Sequence, residues 1–231
     1  MKMINFRTRI TYTSLCLCMA SLLFSSCKKL AGLQLQEDVD HVVTVLDPHI
    51  HKTAWQYLKD RATGPVGSQD TIFRRMYEAI VYAGIDSNEY KKPGRTYIFL
   101  HNDAVWRTGT PTPTDSYFGR YKVNNAAAAK WQDYTPQQVK NWLLYLIMEG
   151  EYSFDNVTPD NTVVKTLLPE GTDPVNPKSV ITFKVLNDRD SKFRINDFFN
   201  TVRATQARTA GLESDNGPVH VVDRVVEYGV K

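Results

Sequence analysis

The chain is predicted to form an α+β domain, and three observations lead there. Two segments repeat apolar residues at helical spacing behind cap signals. The run after Asn216-Gly217-Pro218 is an almost continuous series of β-branched residues, as in a turn feeding a buried strand. Strand signals also outlast helix signals toward the C-terminus. About 200 residues follow the leader segment, which suits one domain that buries about 70% of its unfolded surface.

The elements follow in order from the leader. Lys2, Arg7 and Arg9 precede an uncharged run over 10–24, too short and, with Thr11, Thr13 and Ser14, too polar for a membrane span. Ser25 and Ser26 stand before Cys27, so residues 1–26 resemble a lipoprotein signal peptide. Cys27 would then carry the lipid and become the mature N-terminus, with 27–48 as a tether whose one alternation is Val39, Val42, Val43 and Val45. Cys16 and Cys18 leave with the peptide, so no disulfide is expected. The peptide also takes three of the 28 basic residues and none of the 25 acidic ones, which leaves the mature chain balanced. A nucleic-acid partner is thereby disfavoured.

The first helix should open at a capping box of Thr53 and Gln56, show Trp55 and Leu58 to the core, and stop at Gly64-Pro65. A second should begin near Asp70, its stripe being Phe73, Met76, Tyr77, Ile80, Val81 and Gly84. A buried strand over 96–100 follows the Pro93-Gly94 turn. Residues 108–125 hold Gly109, Pro111, Pro113 and four threonines, an exposed loop by composition. The aromatics there, Tyr117, Phe118 and Tyr121, form either a binding rim or an insertion packed back on the domain.

Thr135, Pro136 and Gln138 repeat the capping box with proline at the first helical position, and Val139, Trp142, Leu143, Leu146 and Ile147 continue the stripe to Gly150. Strands are predicted over 163–168, around Ile181, Phe183 and Val185, and over 219–226. His220 and Asp223 interrupt the last of these, and each would cost about 1–3 kcal/mol if buried unpaired. They therefore need partners inside the fold.

Catalytic signals are sparse. His41, His49 and His51 could gather around a metal, but no cysteine or acidic cluster accompanies them, and a solvated entry to the first helix is expected instead. No Gly-x-Ser-x-Gly elbow and no glycine-rich phosphate loop occurs. Glu149 and Glu151 flank Gly150 as exposed charge rather than a working carboxylate pair. No catalytic residue, metal or cofactor is predicted. A hydrolase reading would require a pocket holding His220 or His101 with an acid.

Two motifs carry a family resemblance. Asn216-Gly217 followed by Val219-His220-Val221-Val222-Asp223 resembles the C-terminal signature of fasciclin (FAS1) domains. The stretch over 95–105, ending in His101-Asn102-Asp103-Ala104-Val105, is similar to their first signature. The resemblance spans residues 49–231 with an insertion near 107–134, and implies a β-sandwich or wedge of two small sheets with several packed helices. It makes Asn102, Asp103, Tyr145, Asn216, Gly217, His220 and Asp223 structural signature residues. Tyr145-Leu146 stands where some animal members carry the Tyr-His pair thought to serve integrin adhesion, so integrin binding is not carried over.

Together, lipobox and domain resemble an outer-membrane lipoprotein of Bacteroidota, in which Asp70-Thr71-Ile72 resembles a glycosylation motif. That implies a non-catalytic binding or assembly module, an accessory subunit of a SusC/SusD-like nutrient-uptake complex at the cell surface. The alternative is adhesion or glycan capture by the protein alone, with Trp106, Tyr117, Phe118 and Tyr121 as binding residues. Lys28-Lys29 after the cysteine leaves a periplasmic orientation open.

Overall fold

Thr53 opens α1 (Ala54–Asp60) by accepting a hydrogen bond from the Gln56 N–H. The reciprocal half of the box does not form, because the Gln56 amide reaches Asp60 Oδ1 at 2.5 Å instead. The computed structural model describes residues 47–64, 69–187 and 191–229, and residues from Asp47 onward form one unit. The leader, Cys27, His41 and the tether as far as 46 lie outside the described residues.

Asp70 belongs to a short 3-10 turn (Gln69–Thr71), and α2 (Arg74–Ala83) starts beyond it. Met76, Ala79, Ile80 and Ala83 are buried, and Gly84 caps the helix at φ 63°. Val81, expected in the stripe, is 62% exposed, because it sits one residue round the helix from Ile80. Next come β1 (Arg95–Leu100), α3 (Asn102–Val105), α4 (Tyr117–Arg120) and α5 (Pro136–Tyr145). At α5 the capping box is complete: Thr135 Oγ1 accepts from the Gln138 N–H and Gln138 Oε1 accepts from the Thr135 N–H.

The helical stripe predicted to reach Gly150 stops at Tyr145. Leu146 ends the helix, and β2 (Ile147–Glu149) pairs antiparallel with β1, Tyr97 opposite Ile147. Pairing with a strand edge overrides the helical period there. β3 (Thr162–Lys165) is likewise shorter than expected: Thr166 bridges to Met148 and Leu167 N–H donates to Ile147 O, so the chain steps from one sheet to the other. The remaining strands are β4 (Val180–Val185), β5 (Phe193–Ile195), β6 (Thr205–Gln206), β7 (Thr209–Ser214) and β8 (Gly217–Val222).

Two four-stranded sheets result, in the orders β2-β1-β8-β7 and β3-β4-β5-β6. β1 and β8 run parallel at the centre of the first, Ile98 opposite His220. Its helix side carries Tyr97 and Phe99 against Tyr57, Phe73 and Tyr90, with Phe73 and Phe99 edge to face at 5.4 Å. On the other side His220 meets the stacked Phe183 and Phe193 of the second sheet, at 5.3 and 4.6 Å. This is an α+β wedge of two small sheets with packed helices, as the fasciclin resemblance implies.

Candidate functional site

The signature residues hold the fold together. Asn216 occupies the β7–β8 turn and is 6% exposed. Its Oδ1 accepts from the Ala54 N–H at the start of α1 (2.8 Å), and its Nδ2 lies in reach of Tyr97 Oη, Tyr90 O and Lys92 O. One amide thus joins a helix start, a loop and β1. Gly217 follows at φ 137°, where a Cβ would stand 2.0 Å from Arg95 O, so only glycine fits.

Asn102, the first residue of α3, caps a different helix. Its Oδ1 accepts from the Arg75 N–H at the start of α2, and its Nδ2 donates to Thr71 O. His101 caps α3 instead, Nδ1 accepting from the Asp103 N–H at 3.2 Å. Burial lowers the His101 pKa, with Asp103 partly opposing. The neutral ring is therefore a cap, and the Asp103 carboxylate at 3.3 Å is a neighbour rather than an ion-pair partner. Tyr145 is buried, with Oη accepting from the Gly229 N–H and from Asn196 Nδ2, both at 3.0 Å.

His220 is fully buried. Its Nδ1 accepts from the Gly211 N–H (3.1 Å) and its Nε2 donates to Tyr152 O (2.8 Å), which fixes the tautomer. Burial holds its pKa down at about 4, against the raising effect of the Tyr152 carbonyl. Phe183 and Phe193 close the surround, so the pocket a hydrolase would need at His220 is not there. Asp223 is not on the strand predicted to reach 226, because β8 ends at Val222, whose carbonyl accepts from the His101 N–H. Asp223 instead lies 3.7 Å from Arg107 at half-buried positions.

His49 and His51 are exposed, with His51 3.3 Å from Asp47. Among the described residues no group of three His, Cys, Asp or Glu side chains could hold a metal. Glu149 is exposed at the end of β2, and Glu151 Oε1 accepts from the Gly94 N–H.

The insertion departs most from its composition. Residues 108–111 are exposed, but the chain then dives, and Tyr117 and Phe118 are 4% and 2% exposed. They sit among Trp131, Tyr134 and Trp142, Tyr117 lying 4.1 Å from the Trp142 ring centre. Gly119 permits this packing, since a Cβ there would stand 2.1 Å from Pro113 O. An exposed platform at Tyr117 and Phe118 is thereby ruled out: these rings bury more apolar surface inward than an outward pose would allow. Trp106 is half-buried beneath the Arg75 guanidinium, 4.7 Å from its ring.

Tyr121 is half-buried and opens onto a cleft of about 580 Å³. Its walls include Tyr117 from α4 and Tyr121 at its end, Tyr134, Gln138 and Asn141 at α5, Asp173 from the loop before β4, and Tyr228 after β8. Burial pushes the Tyr117, Tyr121 and Tyr228 phenols well up, so all three stay protonated. Sequence reasoning reached Tyr121 here, and its density of aromatics between 117 and 142 was the available signal. Nothing local pointed to Tyr228 or Asp173.

No protein-family model and no curated protein matches this chain. Solved structures do, among them a FAS1 domain pair from the insect cell adhesion molecule fasciclin I, at 14% identity and a TM-score of 0.44 over 70% of this chain. The chain spans 47% of that structure's length.

Proposed function

We propose that this protein is a non-catalytic, fasciclin-like binding module, held at the outer membrane by lipid on Cys27 and serving as an accessory subunit of a SusC/SusD-like uptake complex. The observation that supports a binding role is the open cleft beside α5, lined by tyrosine and amide residues, while His101 and His220 are locked into a cap and strand contacts. The lipobox over 25–27 and the acyl anchor it implies support the membrane location. No helix among the described residues is long and apolar enough to cross a membrane.

The expected outcome of affinity purification from detergent-solubilised membranes is co-recovery of a transporter-sized partner in fixed ratio, with loss of the domain when intact cells are treated with protease. Recovery of the protein alone would sink the subunit reading. It would favour the second one, capture of a ligand at the cell surface by the protein acting by itself, which the same cleft supports.

A further inference from the structure

We infer that the cleft beside α5 is a binding site for a neutral saccharide, an inference that rests on the binding-module reading and names its ligand class. Around this cleft the fold leaves hydrogen-bonding capacity unused. The hydroxyls of Tyr117, Tyr121 and Tyr228 make no hydrogen bond to any described residue. By contrast the neighbouring Tyr134 and Tyr82 hydroxyls are both committed, to Tyr121 O and Tyr134 O at 2.6 Å. Tyr117 is the telling case: its ring packs against Tyr121, Trp131, Tyr134 and Trp142, and yet the residue lines the cleft with its hydroxyl uncommitted. A buried phenol normally finds a partner in the protein.

The amides tell the same story. Asn141 Oδ1 accepts from Gln137 Nε2 and Gln138 Oε1 closes the capping box, so each residue is oriented by its oxygen while its NH₂ remains available. Asp173 is fixed in the same way, its Oδ1 accepting from the Val175 and Asn176 N–H groups at 2.9 Å and its Oδ2 left over. The cleft thus offers pre-oriented donors, an acceptor and phenols that act as either.

Charge narrows the ligand. Lys122 and Asp173 oppose each other in sign, and Asp133 is tied to the Ala129 and Lys130 N–H groups, so no field of one sign attracts an ion. An apolar ligand would leave the amides and phenols unpaired, at a cost that discriminates strongly against it. A peptide strand would look for an open sheet edge, whereas the residues that line this cleft belong to helices and loops. A sugar ring meets all the conditions: hydroxyls that both donate and accept, no charge, and a C–H face that rests on the half-buried rings of Tyr121 and Tyr228.

The test is to present the whole chain, purified from membranes in a detergent without a sugar headgroup, to an array of neutral and acidic oligosaccharides, and to titrate the retained glycans by tryptophan fluorescence. Trp142, against Tyr117, is the reporter. Retention of a neutral oligosaccharide is expected, with affinity falling about tenfold in each of Asn141→Ala and Tyr228→Phe, as for loss of one hydrogen bond to an uncharged partner. Both variants should melt with the parent. Retention of no neutral glycan, preference for acidic ones, or affinities unmoved by both substitutions would overturn the inference. A protein recovered without a partner but retaining a glycan breaks the subunit reading alone, so the two failures are distinguishable.

Discussion

Tyr145 and Tyr228 touch edge to face, with ring centres 5.0 Å apart, yet they belong to regions in opposite condition. Tyr145 is fully buried at the end of α5, its hydroxyl between the Gly229 N–H and Asn196. Tyr228 lines the cleft, and its hydroxyl bonds to no described residue. The same contrast holds more widely. At the seam of β1 and β8, Asn216 and His220 have each hydrogen-bonding atom engaged, and both are nearly or wholly out of water. Around the cleft, Gln138 and Asn141 are engaged at the oxygen only. Buried polar groups must be satisfied internally or they destabilise the fold, whereas groups left open to solvent remain available to a ligand.

The largest effect is expected from Asn216→Ala. Removing the amide strands the Ala54 N–H in the interior and takes a donor from the Tyr97 oxygen and from the Tyr90 and Lys92 carbonyls, and a loss of about 3–5 kcal/mol is expected in urea denaturation. A midpoint near that of the parent would show that the seam does not depend on its polar hub.

Acid should come next. His220 has a folded pKa of about 4 against an ordinary 6.5, so the unfolded chain takes up its proton at higher pH than the folded one does. The stability this group contributes is complete above about pH 6.5 and is lost as pH falls toward about 4, amounting to about 3 kcal/mol. His101, lowered by burial as well, acts with the same sign. A pH series of denaturation midpoints checks the window, and His220→Gln should flatten most of the slope.

The two tyrosine hydroxyls should differ by less. Tyr145→Phe removes an acceptor from the Gly229 N–H and should cost about 1–3 kcal/mol, while Tyr228→Phe should leave stability within about 0.5 kcal/mol of the parent. Equal losses in thermal melts would mean that the two hydroxyls do not differ in the way the fold implies.

Much of the seam was legible in advance. A β-branched run broken by one histidine announces a buried strand with a polar group that needs a partner, and the partners proved to be Gly211 and Tyr152. The cleft was legible only as a concentration of aromatic residues. Composition made 108–125 an exposed loop, but once the chain is folded Tyr117 and Phe118 find Trp131, Tyr134 and Trp142 to pack against. β5 and β6, of three and two residues, and β7, whose Thr-Ala-Gly-Leu-Glu-Ser shows no β-branched run, were missed because they form strands only when a neighbour supplies the pairing.

By itself the sequence determined those features whose physics closes within a turn or a strand. Thr53 caps α1, Thr135 and Gln138 close their box around Pro136, and Gly217 takes a backbone conformation that side chains disfavour. Tertiary structure decided the rest: the end of α5 at Tyr145, the capping of α2 by Asn102 from across the fold, and a cleft assembled from α4, α5, Asp173 and Tyr228. Local signals depend on neighbours three or four residues away. A cleft depends on which distant side chains packing brings together, and on which of their polar atoms it leaves without a partner.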